Sequence, residues 1–393
     1  MCDTLCVIGG GRTLFAKNSD RPRDEVQLVE AHPARPGGGT LHTTHLEIDD
    51  AGAVALVGSR PAWMWGFEHG VHEPRVASGN ERIFTIDDPH EAPPALTGMD
   101  LVRLGLERAR TADDALDVMS GLLEQHGQGG ACAQGEDDPY WSSFLVADPG
   151  SAWVLETSGT TWVARRTDDG AAISNRVTLG VDWSRASGEL DTGDDFSRLL
   201  DPSVPTEPSD VRLAATRACV ATGASALHPR DLVATMRHHG ARPWGAPGGN
   251  VADVDPPAPP DAPGWGGFTV CWHIRTLQAT TASMVAELPE DRDAPLRAWF
   301  AIGSPCASVY VPTFPPSVPP AMASPAAWAR FAELRDRVED DGDALYSIRA
   351  VLGPVEAELW TDADAAAGDP THQSAFTDRA WTAVDDALTR LGV

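Results

Sequence analysis

The sequence predicts an α+β fold in which antiparallel sheets are covered by helices. Strand-like runs follow one another along the chain, and helical patterns come in groups of their own, whereas single β–α–β units would indicate a parallel sheet. With 393 residues, of which 42% are hydrophobic and 22% charged, the chain has the composition of a globular protein. It is long enough to bury a large core.

The N-terminal half predicts strands, then helix, then strands again. Two β-prone runs, residues 3–8 and 12–17, flank three consecutive glycines and predict a tight hairpin. We expect a second hairpin from LHTTHLEI and AVALVGS, and two helices or one bent helix over residues 99–126. The runs SSFLVAD, SAWVLET, TWVARRT and AAISN are separated by turn residues and predict a four-stranded antiparallel meander.

The C-terminal half predicts helices on both sides of a further group of strands. Two proline-rich stretches, 256–267 and 312–325, are expected to be loops. The strands are expected in GGFTVCWHIR, QATTASMVAEL and LRAWFAIGS. The predicted helices cover residues 209–224, 229–239, 326–339, 344–359 and 375–391.

Charge and motif content exclude several function classes. Thirty Lys and Arg against 57 Asp and Glu give a formal charge of −27, which disfavours nucleic acid as a partner. The chain shows no secretory signal and no run of eighteen apolar residues, so we expect a cytoplasmic protein without membrane contact. Nucleotide-binding, serine-hydrolase and zincin motifs are absent. His69 and His72 make a weak metal pair before Pro74, so neither a metal nor a cofactor is predicted.

Cys2 is the residue that points to chemistry. Aminopeptidases remove an initiator methionine when the second residue is small, which would leave Cys2 with both a thiol and a free α-amine. The amine titrates near 7.7 to 8.0 and a thiol near 8.5, so the amine can act as general base toward the thiol of its own residue. The other five cysteines are expected to be reduced thiols, most of which fill the core.

The predicted first hairpin brings polar residues beside Cys2. A turn centred on Gly10 pairs Cys2 with Asn18, and a two-residue turn at Gly10 and Gly11 pairs it with Ser19. Either register places Lys17 and Asp20 next to the cysteine. We expect Asp20 to orient the amine and the positive charge of Lys17 to lower the pKa of the thiol.

These residues carry a resemblance to a known family. The segment MCDTLCVIGGGRTLFAKNSDRPRDEVQ resembles the opening of the secernin and cysteine dipeptidase family of N-terminal nucleophile hydrolases, relatives of choloylglycine hydrolases and penicillin V acylases. Further similar segments follow in the family's order up to about residue 312. They are SRPAWMWGFEHG, SGNERIFT, GGACAQGEDDPYWSSFLVAD, AWVLETSG, AISN, TTASMVAEL and GSPCASVYVP.

The resemblance implies a fold and a set of site residues. The implied fold is an αββα sandwich, two antiparallel sheets between helical layers, with catalysis through an acyl-enzyme on Cys2. By position, Lys17 and Asp20 match the basic and acidic residues beside the nucleophile, and Asn175 and Asn80 match asparagines of the oxyanion site. Arg212, in preference to Arg217, matches an arginine that completes the site. Trp63 and Trp65 are expected to wall the substrate pocket.

Together these observations predict a cysteine amidohydrolase that cleaves dipeptides or small N-acyl amides. Alternatives are an acylase or amide-forming enzyme of secondary metabolism, and a non-catalytic, secernin-like interaction protein. We expect residues 2–312 to form the catalytic domain and residues 313–393 a helical extension packed on it. The expected partner is a small molecule or dipeptide, and a homo-oligomer is compatible with the sequence.

Overall fold

The computed structural model describes residues 1–239, 268–274, 277–341 and 343–393. Two large antiparallel sheets make up its centre. The predicted proline-rich loop at 256–267 lies outside the described residues. Within them, no helix combines the length and apolar character needed to cross a lipid bilayer.

The first sheet has seven strands and contains the N-terminus. The strands are β1 (Cys2–Gly9), β2 (Arg12–Pro22), β12 (Gly170–Ile173), β14 (His273–Ile274), β15 (Gln278–Pro289), β16 (Arg297–Ile302) and β17 (Val311–Thr313). Their order in the sheet is β12-β1-β2-β15-β16-β17, with β14 also paired to β15.

The second sheet has eight strands. They are β3 (Gln27–His32), β6 (Leu56–Pro61), β7 (His69–His72), β8 (Ala77–Ile83), β9 (Trp141–Ala147), β10 (Ala152–Ser158), β11 (Thr161–Thr167) and β13 (Arg185–Ala186). Their order in the sheet is β13-β11-β10-β9-β8-β7-β6-β3. A separate two-stranded hairpin is formed by β4 (Thr40–His42) and β5 (Glu47–Asp49).

Seven α-helices surround the sheets within the described part of the chain. They are α1 (Gly98–Arg108), α2 (Ala112–His126), α3 (Glu207–Val220), α4 (Pro229–Met236), α5 (Pro325–Asp340), α6 (Ala344–Ala366) and α7 (Pro370–Arg390). Thr97 caps α1 and Thr111 caps α2, so the segment predicted as one bent helix or two is two helices.

Three hydrophobic clusters define four layers. Alternating side chains of β1 show the arrangement, since Cys6 faces the second sheet while Leu5 and Val7 face helices. The cluster between the sheets joins residues such as Phe15 and Leu145, and the outer clusters join one sheet to α1 and α2 and the other to α3 and α4. The predicted αββα sandwich is therefore confirmed.

The C-terminal helices extend the inter-sheet cluster. Trp328 and Phe331 of α5, Leu352 of α6 and Leu388 of α7 belong to the same buried cluster as Phe300 of β16. Burying these side chains joins the helices to the sandwich through apolar contact. The boundary near residue 312 remains a prediction.

Two pairings differ from the sequence prediction. LHTTHLEI forms the β4–β5 hairpin within itself, while AVALVGS supplies β6, which pairs with β3 and β7. The predicted four-stranded meander is also wrong, because AAISN supplies β12, which pairs with β1 in the other sheet. Alternating hydrophobicity identifies a strand, but it does not tell which strand is its partner when the connecting turn is compatible with more than one pairing.

Candidate active site

The first hairpin has the two-residue turn. Gly10 and Gly11 adopt φ of 63° and 77°, which favours glycine at both positions and is typical of a type I′ turn. Cys2 is therefore opposite Ser19, with Lys17 opposite Thr4. Of the two predicted registers, the one with Ser19 is correct.

Cys2 is buried and held by polar contacts from three elements. The backbone N–H of Asp20 lies 3.4 Å from Cys2 Sγ, the Cys2 nitrogen donates to Asn175 Oδ1 at 2.6 Å, and the Arg212 guanidinium donates to the Cys2 carbonyl at 3.1 Å. Burial raises the pKa of the Cys2 thiol, and the charge of Lys17 opposes that rise. The thiol is therefore buried, and polar groups surround the residue that carries it.

Asn175 reaches Cys2 because β12 crosses to the first sheet. The pairing of Ile173 with Thr4 directs the chain that follows β12 toward the start of β1. The Asn175 amide nitrogen donates to the Arg82 carbonyl at 2.8 Å, which leaves its oxygen facing Cys2. The strand β12, which the sequence places in the wrong sheet, thus brings Asn175 to Cys2.

Arg212 is the charged centre of this arrangement. Its guanidinium donates to Asn175 Oδ1 at 2.9 Å and to Asp3 Oδ2 at 2.6 Å, and lies 3.8 Å from Asp20 Oδ2. It is on the buried face of α3, where side chains three and four residues apart point inward. Arg217 is on the exposed face of the same helix.

Lys17 lies between the two sheets without solvent exposure. Its ammonium group is 3.5 Å from Glu68 Oε2 and donates to Ser19 Oγ at 3.2 Å. Burial alone would lower the pKa of Lys17, but the anionic forms of Cys2 and Glu68 raise it overall. The lysine therefore stays charged near the thiol.

Asp20 combines an accepting contact with an altered pKa. Thr280 Oγ1 donates to Asp20 Oδ1 at 2.6 Å. Burial raises the pKa of Asp20 to about 7, although the N-terminal ammonium and Arg212 act in the opposite direction. This carboxyl group would exchange its proton near neutral pH.

Asn80 and the two tryptophans lie in other surroundings. Asn80 Nδ2 contacts Met99 Sδ at 3.3 Å, and no hydrogen bond between Asn80 and Cys2 occurs among the described residues. Trp63 donates to Glu25 Oε1 at 2.8 Å, and the Arg103 guanidinium lies 4.2 Å above the Trp65 ring. Neither tryptophan lines the cavity beside the N-terminus.

That cavity has a volume of about 430 Å³ and mostly apolar walls. The Met1 side chain packs with three of its lining residues, Phe268, Trp272 and Ile274. The sequence does not distinguish these three residues as site residues, because their apolar character also suits an ordinary core position. The remaining walls are Pro22, Phe84, Glu136, Val204, Pro205, Pro208, Leu277 and Gln278.

Three polar contributors were also missed. Asp3 accepts a hydrogen bond from Arg212. Glu68 forms an ion pair with Lys17. Thr280 donates a hydrogen bond to Asp20. Glu68 lies in the segment SRPAWMWGFEHG, so a signal was present for it in the resemblance. For Asp3 the only signal was its position next to Cys2.

A second group of buried titratable side chains is formed by residues from separate parts of the chain. It comprises His239, Cys271, His273 and Cys306, whose donor atoms lie within 4.8 Å of one another. His69 and His72, the weak metal pair in the sequence, do not belong to this group. His69 Nδ1 lies 3.0 Å from Ser19 Oγ.

The chain is similar to two solved structures and, over one segment, to a family model. Penicillin V acylase from Agrobacterium tumefaciens is 11% identical with a TM-score of 0.41, covering 81% of this chain and 87% of that chain. Conjugated bile acid hydrolase from Clostridium perfringens is 10% identical with a TM-score of 0.43, covering 76% and 88%. Residues 71–189 match the model of peptidase family C69. Over that segment the resemblance to the secernin and dipeptidase family is confirmed.

Proposed function

We propose that this protein is a cysteine amidohydrolase whose nucleophile is the Cys2 thiol, exposed as the first residue after removal of Met1. The observation that carries the proposal is the convergence of Asn175 and Arg212 on the backbone of Cys2, at 2.6 Å and 3.1 Å. The match of residues 71–189 to a peptidase family supports the cleavage of amide bonds.

The proposed reaction uses few groups. The Cys2 sulfur attacks the substrate carbonyl while the α-amine takes the thiol proton and passes it to the leaving amine as the C–N bond breaks. Water then hydrolyses the thioester. Asn175 Oδ1 already accepts a hydrogen bond from the Cys2 nitrogen, which suits it to orient the amine. Lys17 supplies positive charge that favours the thiolate.

Loss of Met1 would also enlarge the cavity that its side chain borders. The methionine packs with Phe268, Trp272 and Ile274, so its removal leaves an apolar space next to the freed amine. We therefore expect substrates with an apolar group beside the scissile carbonyl. Both dipeptides and small N-acyl amides satisfy this requirement, so the acylase alternative stays open.

The test compares two N-termini of the same chain. A cleavable fusion is cut to leave either Cys2 or Met1 as the first residue, and both products are assayed on panels of dipeptides and N-acyl amides. We expect turnover from the Cys2 form and a loss of about 10²-fold or more in the Met1 form, which lacks the amine base. Intact mass measurement establishes each N-terminus.

Cys2→Ala in the Cys2-first form is the matched control and should be inactive. Equal turnover by both N-termini, or by the alanine variant, would contradict the mechanism. No turnover on either panel, together with no labelling of Cys2 by thiol-directed acyl probes, would favour the non-catalytic interaction protein.

A further inference from the structure

Four buried side chains from separate parts of the chain converge near the pocket wall. His239 follows α4, and Cys306 is in the turn between β16 and β17. Cys271 lies just before β14, and His273 is the first residue of that strand. Each is at most 2% exposed. Cys271 Sγ and Cys306 Sγ lie 3.5 and 3.4 Å from His273 Nε2, and all four donor atoms lie within 4.8 Å of one another.

The types of donor atom and the distances between them fit a tetrahedral metal ion. Two sulfur and two imidazole ligands are a common set for zinc, whose bonds of roughly 2.3 Å to sulfur and 2.0 Å to nitrogen separate tetrahedral ligand atoms by roughly 3.3 to 3.8 Å. The sulfur–nitrogen distances of 3.4 and 3.5 Å fall in that range. We propose that His239, Cys271, His273 and Cys306 bind one Zn²⁺ ion.

Surrounding contacts orient the ligands. Glu339 of α5 lies 2.9 Å from His273 Nδ1, which directs Nε2 of that ring toward the two sulfur atoms. Histidines that ligate zinc commonly give their second nitrogen to such a carboxylate. Glu339 therefore acts as a positioning residue for His273.

His239 provides a second, independent observation. The ring is 1% exposed, and neither of its nitrogens has a hydrogen-bond partner among the described residues outside the four-residue cluster itself. Burying an unsatisfied polar group costs free energy, so native proteins usually provide a partner. A zinc ion bound to one nitrogen would supply it.

The proposed ion is structural. Four protein ligands complete a tetrahedral site and leave no position for a reacting water molecule. Cys271 and His273 flank Trp272, whose ring faces the Arg212 guanidinium at 4.9 Å and lines the cavity beside Met1. The ion would hold this wall against the end of α4 and the turn that carries Cys306.

Metal analysis of the intact protein tests the site without any assay of activity. Protein purified under reducing conditions without added chelator is analysed by mass spectrometry for metals, and then again after exposure to Zn²⁺ and removal of the excess. We expect about one equivalent of zinc per chain. Replacement by Co²⁺ should give the visible absorption of a tetrahedral ion with thiolate ligands.

Two variants identify the ligands. The double variant Cys271→Ser/Cys306→Ser should retain less than about a tenth of the zinc, because both sulfur ligands are lost. Cys219→Ser, which changes a buried cysteine on α3, should keep the full equivalent. Wild-type protein that binds less than about a tenth of an equivalent after zinc addition, or that joins Cys271 to Cys306 by a disulfide under reducing conditions, would overturn the proposal.

Discussion

At the scale of single residues, Asn175 connects the nucleophile to the rest of the candidate site. One oxygen accepts from both the Cys2 nitrogen and Arg212, while its amide nitrogen is held by the Arg82 carbonyl. The side chain is therefore fixed at both ends. Its orientation is set before any substrate arrives, which is the condition under which a positioning group contributes most.

Asn175→Ala should lower kcat by about 10²-fold in the Cys2-first protein, because the amine loses the group that orients it. KM should change less, since the substituted side chain is not among those lining the apolar cavity. Steady-state kinetics on the best substrate of the panels measure both constants. A rise in KM with kcat unchanged would show that Asn175 acts in substrate binding instead.

How far the sequence predicts these residues depends on their separation along the chain. Lys17 and Asp20 follow from hairpin register, which is a matter of counting once the glycine turn is identified. Arg212 required the family resemblance, because a buried arginine and an exposed one on the same helix look alike in sequence. The cluster at His239 has no compact spacing, since the fold alone brings its four members together.

At the scale of elements, the close approach of β2 and β8 keeps Lys17 in place. A Cβ atom added to Gly79 of β8 would lie 2.4 Å from Lys17 Cδ. The lysine stem therefore needs a glycine opposite it in the second sheet. A Cβ atom added to Gly121, on the exposed side of α2, would meet no atom within 4 Å.

Gly79→Ala should destabilise the protein by about 1 to 3 kcal/mol, because the buried lysine must move to admit the methyl group. Gly121→Ala is the matched control and should stabilise the protein by up to about 1 kcal/mol through helix propensity. Urea unfolding of the two variants and the wild type measures both free energies. Equal stability of the two variants would contradict this account of the β2–β8 contact.

Strand pairing shows where prediction from sequence stops. Periodicity and turn residues identify most strands and helices, yet they predict the wrong sheet for β12 and the wrong hairpin for AVALVGS. Partner choice depends on surfaces contributed by distant segments, which periodicity does not encode. The error mattered for function, because the pairing of β12 with β1 is what delivers Asn175.

At the scale of the whole molecule, several acidic side chains are buried between layers that exclude water. Burial raises the pKa of Glu81 to about 8 and that of Glu156 to about 7, as it does for Asp20. Glu81 accepts a hydrogen bond from the Thr4 hydroxyl across the two sheets. These groups couple the stability of the sandwich to pH.

The sign of that coupling follows from the direction of the pKa shifts. A carboxyl group whose pKa is raised by folding keeps a proton that the unfolded chain releases, so its contribution to stability is complete below the unfolded pKa and is lost as pH rises toward the folded one. Each such group lowers the free energy of unfolding by about 1.4 kcal/mol per pH unit within its window. For Glu81 the window runs from its ordinary pKa of 4.5 to about 8.

Glu81→Gln removes the titrating group but keeps an oxygen that can accept from Thr4. Between about pH 5 and 8, its free energy of unfolding should therefore fall less steeply with pH than that of the wild type, by about the slope of one proton. Glu358→Gln, which changes an exposed carboxyl group on α6, should follow the wild-type curve. Urea unfolding at half-unit steps of pH gives the three curves. Parallel curves for Glu81→Gln and the wild type would mean that Glu81 gives up its proton in the folded protein as readily as in the unfolded chain, and that water or a cation reaches it between the sheets.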